Sequence, residues 1–288
     1  MRFYLGTHQP AWLARGLEAP LLVSHRRLAG RRSLPRATGR WALDSGGFTE
    51  LSLHGRWRTT ATEYVAAVRR YVDEIGHLDW AAPRDWMTED TVRARTGLTL
   101  RTHLVRTVTD YLDLRHRAPD LPFIPVIQGQ TIDDYLHCAD LYEHHGIDLT
   151  AHPVVGVGSV CRRQHTTEVD TIARTLAARG YRLHLFGAKI LGLTRYADTI
   201  TSSDSMAWSY AGRYRPGCTP THRTESNCLP WALTWYRHVL TTTTPSRTSP
   251  RRPPTRNDTN RPTTPRSPRR DQRKHPRTST THPPGHYR

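Results

Sequence analysis

Eight short apolar runs punctuate the chain, none with the polar alternation of a half-exposed strand. They are Phe3-Tyr4-Leu5, Leu21-Leu22-Val23, Trp41-Ala42-Leu43, the weaker His77-Leu78-Asp79-Trp80, Phe123-Ile124-Pro125-Val126-Ile127, Pro153-Val154-Val155-Gly156-Val157, Leu183-His184-Leu185-Phe186 and Thr199-Ile200-Thr201. Runs of this kind belong to parallel strands covered on both faces. Between them the period changes. From Thr62 the apolar positions Val65, Val68, Tyr71, Val72 and Ile75 mark one face of a helix that stops at Gly76. Thr88 to Arg115 reads as helical with a break at Gly97 and a second start at Thr96 or Thr99, and further helices open at Thr131 and Thr166 and end near Gly146 and Gly180. Strand and helix in alternation predict an α/β fold, a (β/α)8 barrel of the TIM type with irregular first units, since the first three connections look too short for full helices. An open doubly wound sheet is the alternative. No glycine-rich dinucleotide or P-loop fingerprint is present.

Composition changes the picture at the C-terminus. Thr241 to Arg288 holds twelve Lys/Arg against Asp258 and Asp271, carries most of the net charge of +17, and contains no Leu, Ile, Val, Phe or Trp. Such a segment cannot bury enough apolar surface to offset the entropy of ordering. Residues 1–240 are therefore expected to form the barrel and 241–288 a disordered basic tail suited to phosphate contact. Four unevenly spaced cysteines argue against a disulfide framework. No secretory h-region and no membrane-length apolar run are found, so a cytoplasmic protein is expected.

Barrels of this type carry their chemistry at the carboxyl ends of the strands. Those ends read Asp44-Ser45-Gly46-Gly47-Phe48, Asp79, Gln128-Gly129-Gln130, Gly156-Val157-Gly158-Ser159, Gly187-Ala188-Lys189 and Ser202-Ser203-Asp204-Ser205-Met206. Three carboxylates, an amide and several glycine-flanked N–H groups around one mouth suit a flat heterocycle bearing both donors and acceptors.

The same residues carry a resemblance. Leu43-Asp44-Ser45-Gly46-Gly47-Phe48, Ile127-Gln128-Gly129, the glycine-rich Val155 to Val160, and Asp204 followed nine residues on by Arg213 resemble the motifs of the tRNA-guanine transglycosylases. Ser203 to Ser209 and Phe186-Gly187-Ala188-Lys189 look more like the DpdA group of deazapurine DNA-modification proteins, and the resemblance spans roughly residues 2–240. It implies replacement of guanine in DNA by a 7-deazaguanine, the 7-cyano form being favoured, through a covalent glycosyl ester. Asp204 would be the nucleophile and Asp44 the acid/base at the purine. Asp79, or alternatively Asp85, would read the guanine edge with Gln128, Gly129 and Gly158. Ser45, Gly46, Gly47, Phe48 and Met206 would complete the base site, and Lys189 and Arg213 would meet the nucleic acid. The chemistry needs no cofactor.

Some positions depart from the tRNA enzymes. Thr49 stands where they have Gln, Gln130 replaces their second glycine, and Tyr210 stands where they have an arginine, which weakens a tRNA reading. Their zinc ligands are reduced here to Cys218, His222 and Cys228, with Glu225 or His238 as a fourth, so a structural zinc is an expectation. A glycosidic carbon inside a duplex is out of reach, so the nucleotide must be flipped or met single-stranded. Trp80, Trp86, Trp208 and Tyr210 are the candidate wedges, and strand-opening helper proteins are the candidate partners. The alternatives are the same chemistry on tRNA or free nucleoside, and a silent barrel that binds nucleic acid.

Overall fold

A computed structural model describes residues 1–243 of the 288. Eight parallel strands, β1 (Arg2–Thr7), β2 (Leu21–Ser24), β3 (Trp41–Asp44), β4 (Leu78–Ala81), β5 (Val126–Ile127), β6 (Val155–Val157), β7 (Leu183–Leu185) and β8 (Ser202–Ser205), lie in the order β4-β3-β2-β1-β8-β7-β6-β5. The sheet curls until its edge strands meet at one parallel bridge, Ala81 to Phe123. Two hydrogen bonds make that seam, Ala81 N–H to Pro122 O at 2.9 Å and Ile124 N–H to Ala81 O at 3.1 Å. Pro125 lacks an N–H, and β5 is correspondingly only two residues long.

Side chains alternate across the sheet as the pleat requires. Phe3, Leu5, Leu21, Val23, Trp41 and Leu43 point outward into the main core beneath the helices. Tyr4, Leu22, Ala42, Trp80 and Val126 point inward. Trp80, His184 and Phe186 stack edge to face inside, with the His184 centroid 4.7 Å from that of Trp80 and 4.7 Å from that of Phe186. Tyr4 closes the cluster at 5.5 Å from Trp80. This aromatic floor fills the barrel and leaves the carboxyl end open above it.

The connections follow local signals. The first two carry only 3-10 turns, Pro10–Ala14 and His25–Arg27. The third is fuller than expected and holds α1 (Gly47–His54) and α2 (Ala61–Glu74). A capping box starts α2, with Glu63 N–H donating to Thr60 Oγ1 at 3.2 Å and Thr60 N–H donating to Glu63 Oε2 at 2.7 Å. The expected break at Gly97 separates α3 (Asp90–Thr96) from α4 (Leu100–Arg117), with Thr99 as the cap of α4. Gly97 ends α3 at φ 69°, a left-handed turn that glycine adopts without strain. The ring continues with α5 (Ile132–His144), α6 (Thr167–Ala178), α7 (Ile190–Tyr196), α8 (Ala207–Gly212) and α9 (Leu229–Thr243). The boundary drawn at residue 240 falls inside α9, and from residue 244 the basic tail lies outside the described residues. Among the described residues no helix is long and apolar enough to cross a membrane.

One strand sits later than the apolar pattern indicates. The run Thr199-Ile200-Thr201 precedes β8, and the strand itself is Ser202-Ser203-Asp204-Ser205, polar throughout and buried throughout. It is tolerated because its polar groups are used: Ser203 Oγ donates to Leu185 O at 2.8 Å, and Ser202 Oγ lies 2.9 Å from His184 Nδ1.

Candidate active site

Above the floor lies a cavity of about 680 Å³, within the ligand-pocket range of about 300–1,000 Å³. Asp44 from the end of β3 and Asp204 from β8 both line it, although 160 residues separate them in sequence. Gln128, Gly158, Gly46, Phe48 and Met206 line it as well. So does Asp85, on the loop after β4.

The two acids sit in different surroundings. Asp204 Oδ1 accepts the Gly187 N–H at 3.0 Å and lies 3.3 Å from His184 Nε2. Backbone and imidazole therefore hold this carboxylate in one orientation toward the cavity. His184 is itself held by Ser202 and by the aromatic floor. Asp44 is raised above the ordinary carboxyl range, chiefly by burial, against the opposing hydrogen bonds of Ser24 and the Gly46 N–H; the charge of Asp204 raises it further. Burial thus favours the protonated form of Asp44, while Asp204 is fixed in place by the Gly187 N–H and His184.

A second network reads across the mouth. Gln128 Nε2 donates to Asp85 Oδ2 at 2.6 Å, and Ser45 Oγ donates to Asp85 Oδ1 at 3.3 Å. Burial nevertheless dominates and pushes Asp85 up to about 7, with the charge of Asp44 adding to the rise. Ser159 Oγ accepts the Thr88 N–H at 2.8 Å and lies 2.7 Å from Gln128 Oε1 and 2.9 Å from Glu89 Oε2. Its single proton can go to only one of those acceptors at a time, the nearer being Gln128 Oε1, and Ser159 sits at φ 55°. A Cβ on Gly158 would overlap the Gln128 amide, so that glycine is a steric requirement of the network.

Not every expected residue reaches the cavity. Asp79 is at the opposite, amino end of the barrel, where it pairs with Arg2 at 3.1 Å and Arg40 at 2.6 Å and accepts the Tyr4 hydroxyl at 2.9 Å. It is the second residue of β4, too early to emerge at the mouth, and Asp85 occupies the cavity wall. Ser45 and Gly47 stand behind the wall, the first orienting Asp85 and the second pressed against Trp57 and Met87. Gly129 packs on Tyr135 and gives its carbonyl to Thr88 Oγ1. Lys189 and Arg213 are exposed and do not line the cavity. Trp80, Trp86 and Trp208 are buried and cannot part strands; Tyr210 alone of the four candidate wedges is exposed. Sequence reading missed His184, Glu89, Cys161, Ser24, Arg26 and Arg27. His184 sits inside an apolar run, where histidine reads as core, and the arginines follow a strand end that shows no motif.

The candidate zinc ligands converge elsewhere. One ligand atom from each of Cys218, His222, Glu225 and Cys228 lies within 4.8 Å of the others. The two sulfurs are 3.4 Å apart, and Cys218 Sγ is 3.5 Å from His222 Nδ1. Tetrahedral zinc with bonds of about 2.0–2.3 Å spaces its ligands by about 3.3–3.8 Å. Glu225 Oε2 is buried without a hydrogen-bond partner, an orphan that a cation would satisfy. Glu225 is the fourth member of this group, and His238 is not in it.

The sequence model of one protein family, DpdA, described as DeoxyPurine in DNA protein A, matches residues 1–257. No curated protein sequence matches the chain.

Proposed function

The chain belongs to the DpdA family, and from that premise and the cavity's geometry we propose a transglycosylase that replaces guanine in DNA by a 7-deazaguanine, the 7-cyano form being the favoured incoming base. The observation that carries the reading is the convergence of Asp44 and Asp204, unlike in environment, on one cavity roomy enough for a flipped nucleotide.

In the first half-reaction an oxygen of Asp204 attacks C1′ of the nucleotide as the C1′–N9 bond breaks. The electron pair leaves with N9, and the proton that guanine needs comes from Asp44. The transition state has oxocarbenium character, which a carboxylate on the opposite face stabilises before it forms the ester. In the second half-reaction Asp44 takes the N9 proton of the 7-deazaguanine. N9 then attacks C1′, the ester bond breaks, and Asp204 regains its charge. Two inversions return the β-glycoside, and no electrons are exchanged with a cofactor. Asp85 accepts from the N–H groups of the guanine edge, and Gln128 holds Asp85 in place. His184 and the Gly187 N–H position Asp204.

Incubating the chain with labelled 7-cyano-7-deazaguanine and duplex DNA, single-stranded DNA or tRNA tests this reading. Label should enter DNA with release of one guanine per base inserted. Label entering tRNA alone, or guanine release without insertion, would refute it.

Two further outcomes are expected. Gly158→Ala should weaken binding of the free 7-deazaguanine base about 100-fold by calorimetry, since a displacement of about 1 Å in a positioned group has effects of that size. Its melting temperature should fall as well, because the added methyl has to push the buried Gln128 amide off its partners Asp85 and Ser159. The second outcome concerns zinc, for which the Cys218, His222, Glu225 and Cys228 cluster is the proposed structural site. Bound there, the ion would tie the loop after α8 to the start of α9. The purified chain should carry one zinc by elemental analysis, and Cys218→Ser with Cys228→Ser should lose it and unfold at lower temperature. A metal-free chain of unchanged melting temperature would contradict the assignment.

A further inference from the structure

We propose that Met206, Tyr210 and Tyr214 form a stacking platform for unpaired bases beside the flipped nucleotide, an assignment that rests on the DNA reading above. Met206 lines the cavity lip and is 40% exposed, Tyr210 is 62% exposed and Tyr214 is 76% exposed, so the stripe emerges stepwise from the site. The spacing of four places successive members on one face of α8 and the turn that follows it. The Tyr214 N–H still donates to Ala211 O at 3.2 Å, which carries that turn past the end of the helix.

The opposite face is anchored. Trp208 is fully buried, donates to Gly6 O at 2.8 Å and stacks on Trp12 at 5.4 Å. The helix is therefore a fixed support, and the exposed rings contribute little to holding it. The two tyrosine rings pack edge to face at 5.6 Å with their hydroxyls 3.4 Å apart, and the Arg213 guanidinium lies 5.7 Å from the Tyr210 centroid. No Asp or Glu occurs between Asp204 and Glu225, whereas Arg213, Arg215 and Arg223 do, all exposed.

Exposed aromatic faces set among unopposed guanidiniums fit a polyanion that also presents π-faces, which is single-stranded nucleic acid. Eight residues of helical rise cover about 12 Å, room for about three bases at a stacking interval of about 3.4 Å. The platform continues the path of a strand whose nucleotide has entered the cavity. It would hold the neighbours unpaired while exchange proceeds.

The test uses single-stranded oligodeoxynucleotides with one guanine and 2-aminopurine on either side of it. The unaltered chain should quench the probe on binding and prefer the single strand to the matched duplex. Tyr210→Ala with Tyr214→Ala should weaken single-strand binding at least tenfold and abolish the quenching, consistent with the worth of one or more stacked bases. Tyr210→Phe with Tyr214→Phe should retain both, because the rings remain. Free 7-deazaguanine should bind all three chains alike. Unchanged single-strand affinity in the alanine pair, with base exchange intact, would overturn the platform and leave the proposed activity standing. Equal loss in the phenylalanine pair, or a change confined to self-association by sedimentation, would overturn it too. Failure of the unaltered chain to bind any DNA would overturn both proposals.

Discussion

Asp204→Asn should lower base exchange by about 10⁶-fold, the scale on which removal of a covalent nucleophile acts, while DNA affinity stays within a few-fold. The amide keeps the shape of the side chain and an oxygen to accept the Gly187 N–H, so the cavity wall is preserved. What is lost is the anion that bonds to C1′. Asp44→Asn should be less severe on DNA substrates whose leaving base needs little protonation, since Asp44 acts through a proton and Asp204 through a bond. Rapid-quench measurement of guanine release from each variant separates the two roles. Equal losses regardless of the leaving base would contradict the division of labour.

Asp85→Asn should stabilise the protein and disable it. The carboxyl of Asp85 titrates at about 7 in the folded chain against an ordinary value of 3.8. Between those values the folded state holds a proton that the unfolded state has released. Stability therefore falls as pH rises from about 4 to about 7 and is level above that window. The full cost of ionising Asp85 is on the order of 4–5 kcal/mol at about 1.4 kcal/mol per unit, an upper bound on what the neutral amide recovers at pH 8. Urea unfolding at pH 5 and pH 8 should show the advantage of Asp85→Asn growing with pH, since most of the window lies between those two values. Base affinity should run the other way. The ionised carboxylate accepts from the guanine-edge donors, so affinity of the unaltered chain should rise about tenfold per unit below pH 7 and level off above it. In Asp85→Asn the profile should be flat, with affinity about 100-fold lower, because buried donors then meet a poorer acceptor. A variant that bound the base normally at pH 8 would remove Asp85 from recognition.

The chain announced its barrel through apolar runs and helix caps, each a local signal. Thr60, Thr99, Thr131 and Thr166 all cap the helices expected after them. The polar β8 was harder to see because its burial depends on His184 and Leu185 of β7, which lie 18 residues upstream of their partners. Within the site, Asp44, Gln128, Gly158 and Asp204 were legible because strand ends and glycines mark them. Asp79 misled for a physical reason: it is a strand residue flanked by Leu78 and Trp80, and whether such a carboxylate faces the mouth or the base of the barrel depends on where its strand begins. Two arginines at the amino end, Arg2 and Arg40, hold it there. Asp85, the alternative to Asp79, could not be preferred from sequence because its burial and its Gln128 partner are set by elements 43 residues away.

The most direct test of the central claim is to quench the reaction with DNA in the absence of incoming base and map the modified carboxylate by peptide mass spectrometry. The expected result is a deoxyribosyl ester on Asp204, absent from Asp204→Asn and discharged when 7-deazaguanine is added. An adduct on Asp44 or Asp85, or stoichiometric guanine release with no adduct at all, would contradict the account.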